Sequence, residues 1–166
     1  MARTITEELT YPGTTVAEVS AMLGDPAFRD AVAGQQRALR SSTAVTPQGE
    51  GRTVVWEYVH GTEKVPGFAR KLIGDEIPIV QTETWTSEAH ADVVVTIPGK
   101  PGDMSGTADL RQVGDDVVET TTMTVKASIP LVGGKIEDLI AGLLGKAMRA
   151  ENKVGLKWLT GEWRAG

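Results

Sequence analysis

The chain has 166 residues and a formal net charge of −5, with 40% apolar, 23% charged and 5% aromatic residues. That length fits one ordinary domain with an aliphatic core. It contains no cysteine, which excludes disulfides, thiol catalysis and zinc sites built on sulfur. The acidic balance argues against nucleic-acid binding, which needs a basic field. Two histidines, His60 and His90, supply no imidazole cage, and no cofactor or metal is implied.

The first residues, Met1 to Glu8, lack the basic stretch and apolar run of a secretory signal. Nowhere do about 18 consecutive apolar residues occur, so no stable membrane anchor is expected. The compartment expected by default is the cytoplasm. Oligomeric state is open between monomer and weak dimer.

In chain order, Ile5, Leu9 and Tyr11 alternate with Thr4, Glu8 and Thr10, which predicts a half-buried strand ending at Pro12-Gly13. Thr15 and Glu18 have capping-box spacing and open a short helix. Gly24-Asp25-Pro26 breaks it, and Asp25 caps a second helix to about Gln35. A weaker strand is expected around Arg37 to Thr46. Val54, Trp56, Tyr58 and His60 then share one strand face. Ile77, Ile79 and Trp85 follow, then Ala91, Val93, Val95 and Ile97, then Met104, Gly106, Ala108 and Leu110, and last Val117, Thr121, Met123, Val125 and Ala127. Gly, Pro and Asp turns separate them, making about seven strands in all.

In the tail, Ile136, Ile140, Leu143, Ala147, Val154 and Trp158 follow spacings of four, three, four, seven and four. This predicts one amphipathic helix from about Leu131 to Trp163. Short turns make the later strands an antiparallel meander, and a twisted sheet of that size curls. Only the final helix is long and apolar enough to cover the concave face. The fold class expected is therefore α+β, a seven-stranded curved antiparallel sheet wrapped around a long C-terminal helix, with two short helices after the first strand.

This order of elements resembles the START-like superfamily (SRPBCC), also called the polyketide-cyclase or birch-pollen-allergen fold, the helix-grip architecture. The likeness spans the chain as a single domain, residues 1–166. Locally, Val65-Pro66-Gly67-Phe68-Ala69-Arg70-Lys71, Thr82-Glu83-Thr84-Trp85 and Pro130-Leu131-Val132-Gly133-Gly134-Lys135-Ile136-Glu137 resemble a mainly actinobacterial family of unknown function in that superfamily. The resemblance implies a cavity between sheet and helix that holds a lipid, sterol, polyketide, hormone or quinone. It carries no catalytic motif to transfer.

Meander geometry places the connections alternately at the two ends of the sheet. Short turns, Thr46 to Gly51, Ser87 to His90 and Gln112 to Asp116, fall at one end. Long Pro/Gly-rich connections, Gly61 to Glu76, Pro98 to Asp103 and Ile129 to Gly134, fall at the other, where the pocket mouth is expected. Small residues facing inward (Ala91, Gly106, Ala108, Ala127) and helix glycines (Gly142, Gly145, Gly155) leave space for a guest. The competing reading is close helix–sheet packing with no void.

Candidate ligand contacts are Trp56, Tyr58, Phe68, Glu83, Trp85, Met123, Ile136, Ile140, Leu143 and Ala147. The aromatics and Met123 serve equally as plain core. Glu7, Glu83 and Glu119 fall on the apolar parity of their strands, where a carboxylate would have a raised pKa. Glu83 is the best acid or base because Trp85 shares its face. His60 enters the longest loop and His90 a turn at the opposite end; neither has a nucleophile partner. Val132-Gly133-Gly134-Lys135 fails the phosphate-loop motif, since Ile129 stands at the first glycine position and Ile136 at the Ser/Thr. Arg70-Lys71 with Phe68, Leu72 and Ile73 makes a basic-apolar lid segment, which Glu63, Asp75 and Glu76 dilute. Thr120 to Thr124 reads as a solvent face.

The leading functional expectation is a binder or carrier of a hydrophobic or amphipathic small molecule between sheet and helix. The alternatives are a cyclase- or hydrolase-type enzyme using an inward Glu with Tyr58 or His60, and a protein-interaction module with a filled core.

Overall fold

The structure, a computed structural model, describes residues 2–100 and 102–163. Strand β1 (Ala2–Tyr11) leads through helices α1 (Val16–Leu23) and α2 (Pro26–Gln35) to β2 (Arg40–Gln48) and β3 (Gly51–Gly61). Helix α3 (Gly67–Ile73) precedes β4 (Glu76–Trp85), β5 (His90–Thr96), β6 (Asp103–Val113), β7 (Asp116–Lys126) and α4 (Gly133–Leu159). The strands form one seven-stranded sheet in the order β1-β7-β6-β5-β4-β3-β2, with every pairing antiparallel. The expected fold is the one observed.

Local chemistry sets the element boundaries. Thr15 Oγ1 accepts from the Glu18 N–H at 3.2 Å and its hydroxyl donates to the Glu18 carboxylate, so the Thr15–Glu18 pair caps α1. Asp25 accepts from the Ala27 N–H at 2.9 Å, with Pro26 at the first position of α2. The strand expected from Arg37 starts instead at Arg40. Arg37 has φ of 59°, and the Ala38 N–H donates to the Ala33 carbonyl, so these residues complete the C-terminal turn of α2.

The last helix is shorter than expected at both ends. Leu131 has φ of 71° and is fully exposed, which keeps it out of any helix. At the far end Gly161 has φ of 75°, and the Glu162 N–H turns back to the Lys157 carbonyl. Helix α3 replaces part of the expected loop. Arg70 holds it by donating to the carbonyls of Thr62, Glu63 and Val65, so half of the basic pair is a structural tie.

The core lies between the concave sheet face and the helices. Tyr11, Phe28, Val54, Trp56, Trp85, Val125 and Val154 belong to the main cluster, and Val65, Ala69, Ile77, Ala127 and Ile136 to a smaller one beneath α3. Helix α4 packs on β1, β7, α1 and α2. The space left between α4 and the middle strands is the candidate site.

Candidate functional site: a two-chambered cavity beneath the C-terminal helix

An outer chamber of about 510 Å³ opens between α4, α3 and the sheet, within the range of small-molecule sites. Its walls are Ile77, Ile79, Val95, Ile97 and Met104 from the strands and Ile136, Leu139, Ile140, Leu143 and Leu144 from α4. Strand alternation supplies the first set and the four–three helical spacing the second. Lys64, Val65, Leu72 and Ile73, Lys100, and Ile129 also line it, so each of the three long connections contributes and the mouth lies at their end of the sheet.

The mouth is basic on an acidic chain. Arg37, Lys64, Lys100 and Lys146 line the outer chamber against a single acid, Glu63. Among the described residues, none of these four cations is in an ion pair.

Deeper in, an inner chamber of about 50 Å³ shares Gln36, Tyr58, Val95, Leu144 and Ala147 with the outer one. Its walls carry Arg29, Glu83, Glu119 and Glu151 together with Trp56 and Trp85. Arg29 organises the set. Its Nη2 donates to Glu83 Oε1 at 2.8 Å, its Nη1 to Glu151 Oε2 at 3.2 Å, and its Nε to the Leu23 carbonyl at 2.9 Å. The Trp85 indole N–H donates to the same Glu83 oxygen, and the Gln81 amide to the other. Tyr11 donates weakly to Glu119 at 3.4 Å. The Arg29 guanidinium also lies 5.4 Å from the Trp56 ring centroid, whereas the Trp56 indole N–H is buried with no acceptor among the described residues.

Burial opposes the charge on Arg29, yet Glu83 and Glu151 raise its pKa overall, so it stays cationic. Burial pushes Glu119 well above the usual carboxylate range, and the charges of Glu151 and Glu83 add to the shift. Burial likewise raises Glu151 to about 7, against the pull of Arg29. Tyr58 is raised by burial, and His60, 3.2 Å from the Gln36 side-chain oxygen, is lowered by it.

All the expected contacts except Phe68 line one chamber or the other. Glu83, Trp56, Trp85 and Met123 face the inner, Ile136, Ile140 and Leu143 the outer, and Tyr58 and Ala147 both. Phe68 lies on α3 with 42% exposure and lines neither, because α3 turns Ala69 inward instead. The expected pairing of Glu83 with Tyr58 or His60 does not form; Arg29, Gln81 and Trp85 hold the Glu83 carboxylate. Glu7 pairs with Arg149, and His90 with Asp109 and Asp92, all outside both chambers.

The small-residue argument needs correction. Of the small residues named for it, only Ala108 lines a chamber. A β-carbon at Gly106 would overlap the Thr122 carbonyl, and one at Gly155 would sit 2.7 Å from the Tyr11 ring. Those glycines permit close packing rather than space. At the start of α4, Gly133 also serves packing: a β-carbon there would come within 2.5 Å of the Ala127 carbonyl, whereas one on Gly134 meets nothing within 4 Å. Glu137 accepts from the Ala127 N–H there. Thr121, expected on the same strand face as Val117 and Met123 though inside the stretch read as a solvent face, lines the inner chamber.

Sequence reasoning missed Arg29 and Glu151. Both had a signal. Arg29 lies three and four residues before Val32 and Ala33 on the buried stripe of α2. Glu151 fills the seven-residue gap between Ala147 and Val154, four after one and three before the other.

Solved structures share the architecture. Protein TTHA0849 from Thermus thermophilus superposes with a TM-score of 0.63 at 16% identity, covering 92% of this chain and 93% of that one. The di-domain ARO/CYC StfQ of the steffimycin biosynthetic pathway gives 0.62 at 9% identity over 92% of this chain and 49% of that one. Truncated norcoclaurine synthase from Thalictrum flavum gives 0.57 at 16% identity over 95% of each. These likenesses show a shared fold, a curved antiparallel sheet wrapped around a long C-terminal helix. No helix among the described residues is long and apolar enough to cross a membrane. The uncharacterized protein Rv0481c of Mycobacterium tuberculosis is 27% identical over 105 residues, and the match spans 60% of this chain and 60% of that relative. Residues 6–159, from the first strand to the end of α4, match the model of the family described as protein of unknown function DUF2505, and the chain belongs to that family.

Proposed function

We propose that this protein binds a hydrophobic or amphipathic small molecule, of the lipid, polyketide or quinone class, in the cavity between the sheet and α4. The observation that carries this is the outer chamber itself, about 510 Å³ with walls of Ile, Leu, Val and Met. An apolar void of that size loses dispersion contacts on all its walls, and a guest restores them. The structural neighbours include aromatase/cyclase proteins of biosynthetic pathways and a norcoclaurine synthase, which supports the same reading.

Native mass spectrometry of gently purified protein, with a titration by the neutral fluorophore Nile red, tests it. A retained guest and saturable one-to-one dye binding are expected. A bare mass together with no saturable dye binding sinks the proposal.

One observation favours an enzymatic variant. Glu119 and Glu151, whose pKa values burial raises, line the same inner chamber, as a general acid requires. Chemical conversion of the recovered guest on prolonged incubation, lost in Glu151→Gln with guest binding retained, is its signature.

A further inference from the structure

The inner chamber is built differently from the outer one. Three carboxyl side chains, Glu83, Glu119 and Glu151, face a single guanidinium, Arg29. Glu83 has every strong donor in reach, from Arg29, Trp85 and Gln81. Glu119 is left with one long bond from Tyr11. An excess of buried negative charge is costly, and Glu119, which no cation pairs among the described residues, relieves it by keeping its proton, in line with the direction in which burial moves it. A protonated carboxyl is a hydrogen-bond donor.

Independently, Trp56 lines the chamber at 2% exposure and its indole N–H has no acceptor among the described residues. A buried donor without a partner carries a real cost. The chamber of about 50 Å³ exceeds the ~10–15 Å³ needed for one water-sized group and joins the apolar chamber at Tyr58 and Ala147.

We propose that the inner chamber is a subsite for a neutral oxygen, a carbonyl or hydroxyl, at the leading end of an otherwise apolar ligand. This rests on the outer chamber holding the apolar body. The oxygen accepts from Trp56 Nε1 and from the protonated Glu119 carboxyl. A ligand carboxylate would meet three carboxyl groups. A ligand ammonium would meet the Arg29 cation and leave the Trp56 N–H unpaired.

The test is Nile red displacement by five twelve-carbon compounds: dodecanol, methyl decyl ketone, dodecane, dodecanoate and dodecylammonium. The alcohol and ketone are expected to displace the dye at roughly five- to tenfold lower concentration than the alkane, the worth of one or two hydrogen bonds. Trp56→Phe keeps an aromatic ring and removes the donor. It should shrink the ketone-over-alkane preference several-fold, a ratio in which any loss common to both compounds cancels and which a merely structural role would not move. Equal displacement by all the compounds overturns the subsite and leaves the cavity reading standing. A preference for dodecanoate or dodecylammonium also overturns it. Saturable dye binding that none of the amphipaths competes overturns the subsite alone, whereas no dye binding removes both readings.

Discussion

Arg29 on α2 reaches across the interior to Glu83 on β4, with Nη2 2.8 Å from Oε1 and exposures of only 1% and 5%. The same guanidinium holds Glu151 on α4. One side chain thus joins both walls of the cavity and the helix that covers it. Removing one partner from such a pair leaves an uncompensated buried charge, whose cost is larger than the net worth of the pair. Arg29→Met is therefore expected to lower unfolding free energy by about 3–5 kcal/mol, read as a fall in urea midpoint. Adding Glu83→Gln to it should restore part of the loss. A single variant as stable as the parent would show that the pair is not the joint described.

The pH dependence follows from Glu151. Its ordinary value is 4.5 and burial raises it to about 7 in the folded chain. Between those values the folded state keeps a proton that the unfolded state has released. Stability from this group is full below the lower value, falls as pH rises, and is gone above the higher one. Glu119 acts in the same direction. Urea midpoints of the parent should drop between pH about 5 and pH about 8 by more than those of Glu151→Gln. Parallel curves for the two proteins would rule this group out as the cause.

Much of the fold was legible because alternation and helical spacing are local signals. Val54, Trp56 and Tyr58 on β3 and Ile136, Ile140 and Leu143 on α4 reveal their faces without any knowledge of their partners. The mouth was legible from connection lengths alone. The inner chamber was not, because its bonds are long-range: Arg29 is 54 residues from Glu83 and 122 from Glu151. A charged residue in a helix reads as solvent-facing unless its place on the apolar stripe outweighs its type. Helix α3 escaped notice because it is short, carries no side-chain cap and is held by Arg70 from within the loop. Gly106 was misread since the sequence shows a missing side chain but not the strand backbone that occupies its place.

Gly106 gives the sharpest stability test. A β-carbon there would overlap the Thr122 carbonyl on β7, backbone that cannot move without breaking the β6–β7 ladder. Gly106→Ala is expected to cost about 2–3 kcal/mol or to prevent folding, far beyond the ±0.5 kcal/mol usual for surface changes. Gly142→Ala is the control, because a β-carbon at Gly142 meets nothing within 4 Å. It should leave stability unchanged or raise it by up to about 1 kcal/mol through helix propensity. Thermal melts of the pair check both, and equal melts would mean that β6 and β7 lie farther apart than described.

Ala147 marks the junction between the two chambers. It sits on α4 between Leu143 and Glu151, and its methyl group leaves the passage open. Ala147→Phe adds a ring where there is empty space, so the fold should tolerate it, with a stability change within about 1 kcal/mol of the parent. The ring would occupy the space through which the leading end of a ligand passes inward. Nile red affinity should fall at least tenfold, a loss of about 1.4 kcal/mol, while far-ultraviolet circular dichroism stays the same. The alcohol and the ketone should lose more than the alkane, because only they need the inner chamber. Dye binding at parental strength in a folded Ala147→Phe protein would place the bound molecule elsewhere on the surface, and the cavity beneath α4 would lose its role.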